Sequence, residues 1–327
     1  MNSSLPIRSH AAPSPASEAA KAIAVDELVH RYGERIALDG VSFSVNDAQI
    51  FGLLGPNGSG KTTLFRILST LIAPSSGDAS ICGWSINRSP REVRQNIGVV
   101  FQEKSVDVKL TVAENLMHQG HLYGLHGASL KARIAQMLER VGLSDRAGDK
   151  VETFSGGMLR RVEIAKGLMH KPSVLLLDEP TTGLDPGARI DLWQYLRILR
   201  DEEGIAVLVT THLMEEAERC DRLAILAHGK VVGLGTPAEL KNAISGEVVV
   251  LDVAEPEAMK QKLEQRFRVR ATVMAGRLRL NHDNGHRFAA EVAEAFPGEI
   301  VGASVSRPSL EDVFIERTGH RFWTEKN

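Results

Sequence analysis

The sequence predicts an α/β fold with a parallel sheet, followed by a smaller α+β unit. Three observations carry this. A glycine-rich turn, Gly55-Pro56-Asn57-Gly58-Ser59-Gly60-Lys61-Thr62-Thr63, lies between an apolar run at 49–54 and an apolar-periodic run at 64–71, the order strand, turn, helix. The run Val174-Leu175-Leu176-Leu177 is continuously apolar, as a strand buried on both faces is, and it ends on Asp178-Glu179. From residue 247 onward the pattern reads strand, helix, strand, strand, helix, strand, the ferredoxin-like order.

Length and charge narrow the function classes. At 327 residues the chain predicts one large domain and a smaller one. A formal net charge of -2 carries no polybasic footprint, which disfavours direct DNA or RNA binding. Cys82 and Cys220 belong to no C-x-x-C pair, so buried free thiols in a reducing compartment are expected. No apolar run reaches the roughly 18 residues of a membrane helix, and no secretory core opens the chain. A cytosolic protein that does not itself cross a membrane is the expectation. Residues 1–22, rich in Ser, Ala and Pro, read as a disordered leader, with ordered structure starting near Ile23.

The elements then follow in order. Runs at 23–28 and the alternation Val41, Phe43, Val45 predict antiparallel strands, with Tyr32 presented in the turn between them. Its ring is placed either to stack on a nucleotide base or to sit half-buried in the turn. Short strands follow at 79–82 and 97–101, the second ending at Gln102, where open α/β sheets put ligand contacts. Between 110 and 151 the pattern turns helical, opened by a Thr111/Glu114 capping box and stopped at Gly142. Phe154-Ser155-Gly156-Gly157-Met158 then opens another helix, with Ser155 as a possible plain N-cap. Beyond Asp178-Glu179 come the turn Gly183-Leu184-Asp185, a helix at about 188–200, and a strand at 206–210 leading to Thr211-His212. A hairpin at 223–235 and a short helix to about Ile244 close the first domain, and no second phosphate loop or internal repeat is present.

The C-terminal unit, 245–319, reads strand 247–253, helix 257–266, strands 269–274 and 277–281, helix 287–296 and strand 299–306, before a tail at 320–327. Its last helix, 310–318, carries a Ser309/Asp312 capping box, a stop at Gly319 and a narrow stripe of Leu310, Val313, Phe314 and Arg317. Such a stripe must cover its own sheet, the first domain or a twin subunit.

Chemistry concentrates at a few positions. Glycines let backbone N–H groups converge on one concavity, and the helix after the turn adds its free donors and positive dipole end, so residues 55–63 cradle phosphates. Lys61 can reach the β/γ-phosphates and the Thr62 hydroxyl can ligate Mg²⁺. Adjacent carboxylates at the end of a buried strand are costly unless a cation sits opposite: Asp178 would face the metal and Glu179 the attacking water. Among the 11 histidines, only His212 ends a strand that follows the Asp-Glu strand.

Taken together, residues 23–244 resemble the ATP-binding subunit of ABC transporters. The resemblance implies a P-loop NTPase fold with a RecA-like core, an antiparallel β subdomain and a helical subdomain at about 110–151. It makes Gly55–Thr63 the Walker A motif, Val174–Pro180 the Walker B motif, Gln102 the Q-loop residue and a further metal neighbour, Leu184-Asp185 the D-loop, His212 the switch histidine and Tyr32 the adenine-stacking residue. Phe154–Met158 resembles the family signature LSGGQ, with Phe154 for Leu and Met158 for Gln; Ser155, Gly156 and Gly157, which meet the γ-phosphate, are kept. The runs at 181–186, 211–226 and 309–319 resemble the daunorubicin-resistance-type exporters. The resemblance further implies ATP and Mg²⁺ as cofactors, a head-to-tail homodimer in which Ser155 completes the partner's Lys61 site, and a multi-span membrane permease as partner. It places the chain at the inner face of the cell membrane. Glu179 would then be the general base, with Lys61, Gln102 and His212 as further catalytic groups.

Three alternatives stand against this reading. A non-transport ABC ATPase of translation or DNA repair usually has two cassettes or a long coiled coil. A P-loop kinase or GTPase leaves Ser155-Gly156-Gly157 and His212 without a role. An interaction module with a dead site is opposed by Lys61, Thr62, Asp178 and Glu179 standing together.

Overall fold

The computed structural model describes residues 21–319 and Phe322. The expected leader falls outside them up to residue 20. Its last two residues, Lys21 and Ala22, already belong to the first strand. The tail at 320–327 likewise lies outside, apart from Phe322.

The chain opens with β1 (Lys21–Tyr32) and β2 (Arg35–Asn46), paired antiparallel through the tight turn at Tyr32 and Arg35, then β3 (Ile50–Leu54) and α1 (Lys61–Leu68). Next come β4 (Ser76–Ile81), the two-residue β5 (Trp84–Ser85), α2 (Pro90–Asn96) and β6 (Ile97–Val100). The helical insert holds α3 (Val112–Leu122) and α4 (Gly127–Arg140). Thr111 and Glu114 form the expected reciprocal capping box. The ends of the insert are pinned together by an isolated bridge between Thr111 and Lys150, with Val151 N donating to Leu110 O at 3.0 Å.

The core continues with α5 (Gly156–Leu168), β7 (Val174–Asp178), α6 (Pro186–Glu203), β8 (Ala206–Thr211), α7 (Met214–Ala217), β9 (Arg222–Ala227), β10 (Lys230–Gly235) and α8 (Pro237–Asn242). Helix α6 begins two residues before the expected start. The Asp185 carboxylate accepts from Ala188 N at 2.9 Å, and Pro186 pre-sets the first turn, so the helix nucleates at the turn itself.

Strand order β10-β9-β3-β8-β7-β6 makes the central six-stranded sheet, parallel throughout except at the β9/β10 hairpin. Every residue of β3, β7 and β8 is buried, which is why these strands read as unbroken apolar runs. One face packs on α1 and, through it, on the antiparallel sheet β2-β1-β4-β5, in a core that joins Val25, Phe43, Phe51, Leu64 and Leu176. The other face is covered by the insert, α5 and α6, around Trp193 and Leu196. The register pairs Leu54 with Thr211 and Thr210 with Asp178, so the carboxyl ends of β3, β8, β7 and β6 lie side by side. That edge is where open α/β sheets bind ligands.

The remaining elements are β11 (Glu247–Val253), α9 (Pro256–Phe267), β12 (Thr272–Met274), β13 (Arg277–His282), α10 (Gly285–Ala295), β14 (Ile300–Ser306) and α11 (Leu310–Thr318). The sheet order β12-β13-β11-β14, antiparallel at every pair, is the ferredoxin-like arrangement. Strand β12 starts three residues later than expected because Arg268 turns the chain at φ +56. Helices α9 and α10 cover one face of this sheet, with Leu251, Leu263, Leu280 and Val292 in the core.

Helix α11 departs from that unit. Leu310, Val313 and Phe314 pack with Leu54, Ala217, Leu223, Ile225 and Leu240, residues of the ATPase sheet and its helices. Of the three surfaces the stripe could cover, it covers the first domain of its own chain. Arg279 on β13 then ties the ferredoxin-like sheet to α11 through Asp312 at 2.5 Å. Cys220 is buried as expected, whereas Cys82 is only half-buried, since it lies just past the end of β4.

Candidate functional site

The phosphate loop leaves the end of β3 and enters α1 without a side-chain cap, leaving its first-turn N–H groups free for a ligand. Gly60 sits at φ +110, and a Cβ there would fall 2.7 Å from Ala37 O on β2, so only glycine fits between loop and strand. The loop is held from below as well: Gly229 N donates to Ser59 O at 3.0 Å and Gly55 N to Thr211 O at 3.3 Å. Ser59 is buried, and its hydroxyl has no hydrogen-bond partner among the described residues. Asn57, Gly58 and Thr62 are exposed, and Pro56 and Thr63 are half-buried.

Lys61 is buried and folds back over the loop, its Nζ donating to Gly55 O at 2.6 Å and to Pro56 O at 3.1 Å. Burial pulls its ammonium below the ordinary value, against the opposing pull of Glu179 and Asp178. Asp178 is buried at the end of β7, where Thr210 donates to its Oδ1 at 2.5 Å. Burial pushes its carboxyl above the usual range, while the Thr210 bond and Lys61 oppose the shift.

Glu179 is the centre of the constellation. Its Oε1 lies 3.8 Å from Lys61 Nζ, and its Oε2 lies 3.0 Å from His212 Nδ1, 3.4 Å from Thr182 Oγ1 and 3.5 Å from Gln102 Nε2. Four elements thus meet at one carboxylate. Its backbone stands at φ +44, a left-handed conformation that costs a non-glycine residue about 1–2 kcal/mol. The Thr210 hydroxyl, accepting from Glu179 N at 2.9 Å, holds it there.

The structure brings Lys61, Gln102, Asp178, Glu179 and His212 together and leaves Tyr32, the helix start at Ser155, Gly156 and Gly157, and Asp185 without a hydrogen bond or ion pair to that ring among the described residues. Tyr32 is 48% exposed at the tip of the β1/β2 hairpin, its ring edge-on to His30. Ser155 is exposed and caps α5 by accepting from Met158 N at 3.4 Å. No hydrogen bond or ion pair joins Ser155, Gly156 or Gly157 to Lys61, Asp178 or Glu179 among the described residues. Gly157 lies so close to α6 that a Cβ would come 2.8 Å from Ala188 Cβ. Asp185 is exposed, its carboxylate engaged at the start of α6.

Sequence reasoning missed the residues that hold these positions. Arg160 donates to Phe101 O at 2.8 Å and to Glu163 at 2.9 Å, and Glu163 accepts from Ser105 N at 2.7 Å, so one side of α5 grips the segment that carries Gln102. Thr182, Thr210 and Glu216 also escaped notice. A threonine at a strand end reads as an ordinary strand former, and Glu216 stands among Glu215 and Glu218 in what looks like a solvated charge run.

A strand, glycine-rich loop and helix feeding a Lys-Asp-Glu-His constellation at the edge of a parallel sheet define a P-loop ATPase. The ABC transporter family model matches residues 38–182. A daunorubicin resistance ATP-binding protein of Streptomyces coeruleorubidus is 38% identical, over 92% of this chain and 96% of the relative. The Nod factor export ATP-binding protein I of Paraburkholderia xenovorans is 42% identical over 74% of this chain and 80% of its own. Among solved structures, cbiO1 from Clostridium perfringens, part of the ABC transporter complex cbiONQ, matches with a TM-score of 0.64 at 26% identity, covering 76% of this chain and 96% of that one. The chain belongs to the ATP-binding subunits of ABC transporters, and it binds and hydrolyses ATP. No helix among the described residues is long and apolar enough to cross a membrane.

Proposed function

We propose that this chain drives an exporter: two copies close head to tail over two ATP molecules and push on a multi-span membrane subunit from its cytoplasmic side. The observation that carries the reading is the division of its parts. Glu179 is surrounded within one chain by Lys61, Gln102, Thr182 and His212, while Ser155 is exposed and makes only the cap bond at the start of its helix. Export is supported by relatives named for Nod factor export and daunorubicin resistance.

Asp178 and the Thr62 hydroxyl suit Mg²⁺, which takes one or two carboxylates and completes its shell with phosphate oxygens and water. No group of three or more His, Cys, Asp or Glu residues disposed to hold a metal by themselves exists among the described residues, which agrees with a metal that arrives with its nucleotide. Gln102 stands by as a further contact on that side. When bound there, the ion would supply positive charge against that of the phosphates.

The rest of the work falls to the chain. The free N–H groups of the loop and α1, with the unpartnered Ser59 hydroxyl, bind the phosphates of ATP, and Lys61 exchanges the Gly55 and Pro56 carbonyls for phosphate oxygens. Tyr32, on its exposed tip, stacks on the adenine. Glu179 orients the attacking water and takes its proton, while His212, 3.0 Å away, keeps that carboxylate and the γ-phosphate in register. Ser155, Gly156 and Gly157 of the second copy close over the γ-phosphate with a helix N-terminus, and Asp185 lines the same interface.

Affinity purification of the tagged chain from solubilised membranes tests the partner. The expected result is a multi-span protein recovered with it and an ATPase rate that changes in its presence. Recovery of the chain alone, with full activity, would contradict the transport reading while leaving the ATPase intact.

A further inference from the structure

We infer that Glu216 is a positioning residue for hydrolysis, a buried carboxylate that sets the spacing between Glu179 and His212. Glu216 lies on α7 and is 1% exposed. Its Oε1 accepts the Thr181 hydroxyl, and its Oε2 accepts the Thr211 hydroxyl at 2.6 Å. Thr181 stands two residues after Glu179 on the loop that leaves β7, and Thr211 stands immediately before His212 at the end of β8. One side chain therefore ties the two loops that carry the Glu179–His212 pair.

Stability does not account for this carboxylate. No salt bridge reaches Glu216 among the described residues, and burying a carboxylate without a counter-charge is unfavourable even with hydroxyl donors. Its neighbour Cys220 registers the same surroundings, its thiol pushed far up by burial, with Asp221 and Glu216 adding to the shift.

What the charge supplies is polarity. An ionised carboxylate only accepts, so both threonine hydroxyls must donate to it. With its proton committed, Thr211 Oγ1 presents a lone pair to Leu213 N, which donates at 3.0 Å, and these two bonds bracket His212. Thr210 does the corresponding work beside Glu179, donating to Asp178 and accepting from Glu179 N. Glu179 itself is held at φ +44, a conformation that persists only where the surroundings over-determine it. Remove the tie, and the 3.0 Å approach of His212 to Glu179 is free to open.

Glu216→Gln is the direct test, because it replaces one of the two acceptor oxygens by an NH2 donor, so one of the two hydroxyls loses the acceptor it donates to. We expect kcat to fall roughly 10- to 100-fold, the scale of a misplacement near 1 Å, with KM for ATP and ADP affinity unchanged within about 2-fold. In a His212→Ala background, measured by single-turnover hydrolysis, the same substitution should change the rate by less than about 3-fold, since the spacing it protects no longer matters. An equal fold-loss in both backgrounds, a parallel loss of ADP affinity, or an unchanged kcat overturns the assignment. If Glu216→Gln does not yield folded protein, Thr181→Val removes one of the two bonds without altering the carboxylate, and the same pair of comparisons decides.

Discussion

The Glu179 ring and the Ser155 helix start are both built on short loops at the edge of the nucleotide fold, yet they are finished to different degrees. Around Glu179 each group has partners inside the chain: Lys61 on two carbonyls, His212 and Gln102 on the carboxylate, Thr210 on both Asp178 and the Glu179 backbone. Ser155 makes one cap bond and otherwise faces solvent. A helix N-terminus opened by two glycines and left exposed is suited to a ligand that another surface brings. The difference teaches that the groups around Glu179 are preorganised within one chain, whereas the Ser155 helix start, which the proposal assigns to closure, is left exposed.

The largest effect is expected where the finished half is cut. Glu179→Gln should slow hydrolysis by about 10²–10⁴, the usual worth of a general base, while ATP binding persists and an ATP-bound dimer accumulates in gel filtration. Near-normal turnover of the purified variant would move the base elsewhere and dissolve the contrast.

A comparable loss, in stability rather than rate, should follow Phe314→Ala. Phe314 is 3% exposed, edge-on to Phe322 at 4.9 Å, and shares a cluster with Leu54 at the mouth of the phosphate loop and Ala217 just after His212. Truncating such a ring costs about 3–5 kcal/mol. Denaturant unfolding monitored on the ATPase domain should show that loss; an unchanged midpoint would make α11 a passenger of the ferredoxin-like unit. For the same reason a cut after Ile244 strips the ATPase sheet of part of its cover. Replacing 246–308 by a linker that keeps α11 isolates the ferredoxin-like unit cleanly.

The smallest effect sharpens the account of the metal side. Burial raises the Asp178 carboxyl above the usual carboxylate range, so the folded state binds a proton more readily than the unfolded state does. Stability from this group is therefore lost as pH rises from the ordinary carboxylate range through the raised value, and the ionised form is penalised at neutral pH. Asp178→Asn keeps an acceptor for Thr210 and removes that penalty. Nucleotide-free protein carrying it should melt about 1–3 °C higher than wild type at pH 7, by a smaller margin as the pH falls toward 4, while hydrolysis is lost. A lower melting temperature at pH 7 would show that the Asp178 charge is stabilising without metal.

Much of this was legible because it rests on local chemistry. The capping boxes at Thr111 and Ser309, the all-buried run of β7 and the order of the ferredoxin-like strands follow from spacing and residue type. The destination of α11 did not, since a stripe of Leu310, Val313 and Phe314 states that a face is buried and is silent on what buries it. Asp185 could be read as a nucleotide-side residue, but whether its carboxylate also caps α6 depends on where the helix starts. The left-handed Glu179 left no sign, because no glycine marks it. Glu216 was hidden in a charge run whose buried member only packing selects.

The central claim, that each site is completed by a second chain, is tested most directly by mixing two inactive variants. Lys61→Ala and Ser155→Arg are each expected to abolish turnover in their own homodimers. In the mixed dimer both lesions fall in one site and the other site is wild type. Equal mixing should restore up to about a quarter of wild-type ATPase activity, because half of random pairs are mixed and each keeps one intact site. A mixture that stays as inactive as either variant, with mixed dimers demonstrated by differential tagging, would contradict the account.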